Sequence, residues 1–237
     1  FIAMPDDGFQ PRMDDPRIGY FMTQVNDMTT TNALNFKDLI HRWRLEKKDK
    51  TAALSEPVKP ITWWIENTTP TELRPTIKAA ILQWNMAFEK AGFKNAIQIF
   101  EQPDTATWDA GDIRYNVLRW TSSPEPPFGG YGPSFVNPRT GEILGADIMF
   151  EWVFITNRLK SQKVFDKAGI EWLMNEIESE ESHPTFSCEA GEHMHMQNLL
   201  GLQFLASQNA SEDEVNTFLK ESLYYLVLHE VGHTLGL

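Results

Sequence analysis

The chain has 237 residues, 41% of them hydrophobic, with 21 basic against 33 acidic side chains and a net charge of −12. That length suffices for one substantial core and predicts a soluble, globular chain, while the acidic balance disfavours non-specific binding to nucleic acid or to an anionic membrane surface. No run of eighteen apolar residues is present, which argues against a transmembrane helix, and the single cysteine, Cys188, excludes an internal disulfide.

The first ten residues lack the basic start and apolar stretch of a signal peptide, and a chain that opens on Phe1 reads as trimmed or excised. Residues 1–58 read as an extended lead-in segment punctuated by Pro5, Pro11 and Pro16, with at most a short strand over 18–23, so it needs another surface to lie on. Ile61 to Glu66 has the aromatic and β-branched content of a buried strand, and Asn67 to Pro70 ends it with turn chemistry. Leu73, Ile77, Ile81, Trp84 and Phe88 then recur at helical spacing. They predict a helix over 71–91, with Pro75 in its first turn and Gly92 as its stop. A strand over 95–100 would complete a strand, helix, strand unit with parallel pairing, and a third strand is expected over 113–120. Trp63, Trp64, Trp84 and Trp120 are assigned to core packing ahead of carbohydrate binding.

Pro124, Pro126, Pro127, Gly129, Gly130 and Gly132 rule out regular structure over 122–133 and predict a surface loop near a site. That loop lacks the preceding strand and following helix of a phosphate-binding turn. Ser134 to Val136 and a strand over 143–150 flank a tight connection at Asn137 to Glu142. From Trp152 the pattern turns helical and polar, which predicts a helical insertion near 152–210. It would hold an acidic solvated face around Glu176 to Glu181 and a helix over 194–206. The last helix opens on the capping-box pair Ser211 and Glu214, and Val215, Phe218, Leu219 and Leu223 lead it into an apolar run ending at Leu228.

An H-E-x-x-H motif follows that run at once: His229-Glu230-Val231-Gly232-His233, with Gly236 where the helix should break. On a helix, His229 and His233 stand one turn apart on one face, so two imidazole nitrogens can reach one zinc ion. Glu230 follows the first ligand, where its carboxylate can take a proton from a water on the metal. The bland alternative is an amphipathic helix with two surface histidines. His193 and His195, if extended, would point both rings to one side and could add a ligand, although an exposed loop pair is the simpler reading; His183, His41 and Cys188 have a weaker case.

His229 to Leu237 resembles the metzincin zinc-protease signature H-E-x-x-H-x-x-G-x-x-H, whose third histidine would fall at position 239. Met4 to Arg12, Asp15 to Phe21, Trp43 to Glu46 and Glu56 to Pro60 are also similar to the segment that precedes the catalytic domain in a family of large bacterial metalloproteases of that type. The resemblance implies an α+β (α/β-like) fold in which residues 59–237 form the upstream part of a metzincin-like catalytic domain. That part would be a mixed twisted sheet of about five strands, a backing helix and the terminal active-site helix. It further implies a zinc-dependent endopeptidase with Zn2+ on His229, His233 and a third ligand beyond the end of the chain, and with Glu230 as general base. The peptide or protein substrate would lie extended along an edge strand at Ser134, Phe135 and Val136, and the location would be extracytoplasmic or secreted. With one ligand outside it, the chain alone is expected to bind zinc weakly and to show little activity. The competing expectation is a non-catalytic peptide-binding or interaction module that keeps the protease fold.

Overall fold

The computed structural model describes residues 4–5, 8–15, 17–31, 33, 35–122, 130–151 and 189–237, with main chain only at 189–196 and 199. In chain order the elements begin with β1 (Met22–Asn26), β2 (Phe36–Ile40), β3 (Arg42–Trp43), β4 (Ile61–Ile65), α1 (Arg74–Gln83), α2 (Asn85–Lys90) and β5 (Ile97–Glu101). They continue with β6 (Asn116–Thr121), β7 (Gly130–Tyr131), β8 (Ser134–Val136), β9 (Glu142–Ala146), β10 (Ile148–Glu151), α3 (Glu189–Ser207) and α4 (Glu212–Thr234). The fold is mixed α+β, and among the described residues no helix is long and apolar enough to cross a membrane.

The main sheet has five strands in the order β5-β4-β6-β10-β7. Its first four strands pair in parallel, with the expected strand, helix, strand unit linking β4 to β5, and β7 closes one edge antiparallel to β10. Successive side chains on a strand face opposite sides of the sheet, so Ile61, Trp63 and Ile65 all point into the core. There they meet Ile77, Ala80 and Ile81 of α1 and Leu223, Leu226, Val227 and Val231 of α4. The same alternation corrects one expectation: Trp64 lies on the other face, where it packs with Phe100, Trp108 and Tyr115. Trp63, Trp84 and Trp120 do join or abut the core.

The helix expected over 71–91 is two helices that meet at Trp84. Pro75 sits in the first turn as expected. The break has a tertiary cause: the Trp84 N–H bonds to Ile81 O in a tightened last turn, and the Asn85 side chain brackets Ile97, accepting from its N–H at 2.9 Å and donating to its carbonyl at 3.0 Å. The strand expected over 143–150 is likewise two strands in two sheets, β9 beside β3 and β8, and β10 in the main sheet. Asp147 makes the crossing, its N–H bonded to Pro133 O and its carboxylate accepting from Val117 N.

The lead-in is more structured than its prolines suggest. Its short expected strand is displaced to Met22–Asn26 and paired with β2, and β3 runs parallel to β9. Arg44 ties it further by a two-point ion pair with the buried Glu142, at 2.7 and 3.2 Å. Residues 152–188, with the acidic stretch, His183 and Cys188, lie outside the described residues.

Candidate metal centre

The helix that carries the motif starts with the predicted capping box: the Glu214 N–H donates to Ser211 Oγ, and the Ser211 N–H donates to Glu214 Oε2 at 2.7 Å. Over its 23 residues only the C-terminal half is well buried, through Ser222, Leu223, Leu226, Val227, Glu230, Val231, Gly232 and Thr234. That half lies on the sheet and on Trp84, whose indole N–H donates to Leu228 O at 3.0 Å and whose ring would be 3.1 Å from a Cβ at Gly232. The helix is therefore gripped where its chemistry sits.

His229 and His233 stand side by side on one face, ring centroids 4.4 Å apart and edge to face. The Nδ1 of His233 is 2.9 Å from the main-chain oxygen of Leu237, a bond that places the proton on Nδ1 and leaves Nε2 as the lone-pair nitrogen. That Nε2 is shut off from solvent and has no hydrogen-bond partner among the described residues. A buried nitrogen lone pair without a donor is costly unless something occupies it, so this donor set fits a metal ion. Burial, then the neighbouring His233, pushes the proton affinity of His229 down, which favours the neutral, ligating imidazole.

Glu230 follows His229 directly on the helix and is 7% exposed. Burial pushes its carboxyl up to about 7. Gly132, in the turn after the edge strand β7, lies directly over it: a Cβ there would be 2.9 Å from Glu230 O and 3.4 Å from Glu230 Oε2. Only glycine lets the loop come this close. The expectation of no regular structure over 122–133 is corrected at Gly130 and Tyr131, which pair with β10 as β7; only Gly132 beyond them meets the motif helix, and 123–129 lie outside the described residues. Ser134, Phe135 and Val136 form β8, the outer strand of the three-stranded sheet β3-β9-β8, half-buried and two residues beyond Gly132. Beside His229, a cleft of about 550 Å³ opens between α3, α4 and Trp84, lined by Phe218, Tyr225 and Leu228 together with the polar Gln197, Asn198, Glu221 and Ser222.

The main chain at His193 and His195 is helical, part of α3, rather than the extended segment that would have turned both rings to one side, and His183 and Cys188 lie outside the described residues. His41 turns its Nε2 to the Thr23 hydroxyl at 2.8 Å, and burial lowers its proton affinity. Among the described residues no group of three or more His, Cys, Asp or Glu is arranged to hold a metal.

Sequence reasoning gave no hint of what secures the far end of the motif. Phe21 lies against His233 with ring centroids 5.2 Å apart, and its N–H donates to Gly236 O at 2.9 Å. The Trp43 indole donates to Thr234 O at 2.8 Å. Gly236, at a φ of +96°, packs so tightly on the His41 carbonyl that a Cβ would overlap it. These residues are spread over two distant parts of the chain, and no periodicity links them.

Among known families, the one described as Domain of unknown function (DUF5117) matches residues 1–48, which is the lead-in. No curated protein and no solved structure matches the chain.

Proposed function

We propose that this chain carries the upstream part of the catalytic domain of a zinc-dependent endopeptidase of the metzincin type. The observation that supports this best is the edge-to-face imidazole pair of His229 and His233, with the Nε2 of His233 buried and unpartnered and Glu230 between them in sequence. Bound by that pair and by a third ligand expected at position 239, zinc would supply Lewis-acid chemistry, polarising the scissile carbonyl and acidifying the attacking water. Glu230 would serve as the general base toward the attacking water and then as the acid toward the leaving amine nitrogen. Its burial keeps bulk water from competing for the carboxylate, and Gly132 keeps the loop close above it. An extended peptide would lie along the chain edge from β7 through Gly132 to Ser134, Phe135 and Val136, main chain to main chain, with room for a side chain in the cleft beside His229. A mixed five-stranded sheet whose antiparallel edge strand borders the motif helix agrees with this reading, and an extracytoplasmic or secreted location goes with it.

The test is Glu230→Gln in the full-length protein. Zinc content and fold should stay as in the parent while hydrolysis of an unstructured protein falls by about 10²-fold or more, the scale of a lost general base. Hydrolysis near the parental rate would remove Glu230 from the mechanism. Absence of zinc and of hydrolysis in the parent itself, with peptide binding kept, would favour the non-catalytic module.

A further inference from the structure

We propose that Phe21 is a positioning residue for His233, so that the lead-in is a working part of the metal site; this rests on the zinc reading above. The His233 imidazole is confined on three sides. One is the His229 ring at 4.4 Å, another the Phe21 ring at 5.2 Å and 49°, and the third is the Leu237 oxygen 2.9 Å from Nδ1. What remains is Nε2, buried and unpartnered.

Phe21 is itself fixed through its main chain. Its N–H donates to Gly236 O at 2.9 Å, and its carbonyl accepts from the His41 N–H at 2.8 Å, so it bridges the end of α4 to the residue that follows β2. Next to it, Trp43 holds Thr234 O, and the His41 carbonyl closes on Gly236. The contacts converge on the one turn that contains His233, and they all come from residues 21–43. A metal ligand whose ring is already held in its binding orientation loses less freedom on coordination, and partners that orient a ligand raise metal affinity. The bond to Nδ1 fixes the tautomer, and the Phe21 ring limits rotation about the remaining side-chain torsions.

The experiment measures Zn2+ affinity of the full-length protein by competition with a chromophoric chelator, alongside the visible spectrum of the Co2+ form and urea unfolding of the metal-free form. Phe21→Ala should weaken Zn2+ binding by about 10- to 100-fold and alter the Co2+ bands, while Phe21→Tyr, which keeps the flat ring, should restore both. If Phe21→Ala unfolds, Phe21→Leu keeps the apolar bulk without the flat wall and should still lower affinity. His233→Ala is the control that separates the two levels of reasoning. A parent that binds no zinc, or a His233→Ala variant that binds it as tightly as the parent, sinks the metal site itself. Loss of zinc in His233→Ala with parental affinity in the Phe21 variants, whatever their stability, leaves Phe21 as packing alone and overturns the proposal. Tighter binding in Phe21→Ala would make the ring an obstruction, and would overturn it equally.

Discussion

Replacing Gly236 by alanine tests the clamp on the motif helix without touching a titratable group. Two costs combine. An L-residue held in the left-handed region near the observed φ of +96° is strained by roughly 1–2 kcal/mol. The new Cβ would also overlap the His41 carbonyl, so the two main chains must part, and the Phe21 N–H to Gly236 O bond is then lost for about another 1 kcal/mol. The sum is about 2–3 kcal/mol, or a fall in Tm of roughly 4–12 °C for a domain of this size. Gly8→Ala provides the comparison, because Gly8 also has a positive φ, +80°, but a Cβ added there would meet nothing within 4 Å. It should cost about 1–2 kcal/mol, the strain alone. Urea unfolding of both variants and the parent, with chelator present, measures the difference. If Gly236→Ala costs no more than Gly8→Ala, the His41 carbonyl does not press on the helix end and the clamp does not exist.

Three further outcomes are expected. Trp84→Phe should cost about 1 kcal/mol for the lost bond to Leu228 O and Trp84→Ala about 3–5, by urea unfolding; an alanine variant within 1 kcal/mol of the parent would show that the ring does not support the helix. Burial raises the Asp147 carboxyl above its ordinary 3.8, with the Val117 N–H and Arg119 opposing. A raised folded-state value means that the favourable contribution is complete below about pH 3.8 and is lost as pH climbs through the folded value. Asp147→Asn keeps an acceptor for Val117 N–H and has no such loss, so its stability relative to the parent should rise between pH 3 and pH 7; a fall over that range would contradict the burial argument. A Cβ on Gly201 would enter the Phe218 ring, so Gly201→Ala should cost about 1–3 kcal/mol by forcing α3 off α4. Phe218→Leu should relieve it, and strictly additive costs in the double variant would show that the two residues do not touch.

Legibility followed the range of the interactions involved. The capping box at Ser211, the proline in the first turn of α1 and the histidine pair one turn apart are all set by residues within about four positions of each other, and the sequence displays them directly. The parallel pairing of β4 with β5 was readable for the same reason, since one helix joins them. By contrast, nothing local marks Asp147 as the residue where a continuous apolar run changes sheets, because that is decided by partners at Val117 and Pro133. The break at Trp84 follows from Asn85 bonding Ile97, twelve residues away. The grip of Phe21 and Trp43 on α4 spans nearly the whole chain, and a composition rich in proline and aspartate conceals it.

The bond from the Trp43 indole to Thr234 O joins residues 191 positions apart. Such a closure carries a large loop entropy, and contacts of this separation form after local ones have reduced the loop. During synthesis from the N-terminus, residues 21–43 leave the ribosome long before the helix they secure, so they must wait for their partner surfaces on α4. The parallel sheet and α1 can therefore be in place while the histidine turn is still loose. In a refolding experiment, protection of the amides of Leu235 and Gly236 from hydrogen exchange should lag behind that of β4 and β5, which makes completion of the turn that carries His233 a late step in folding.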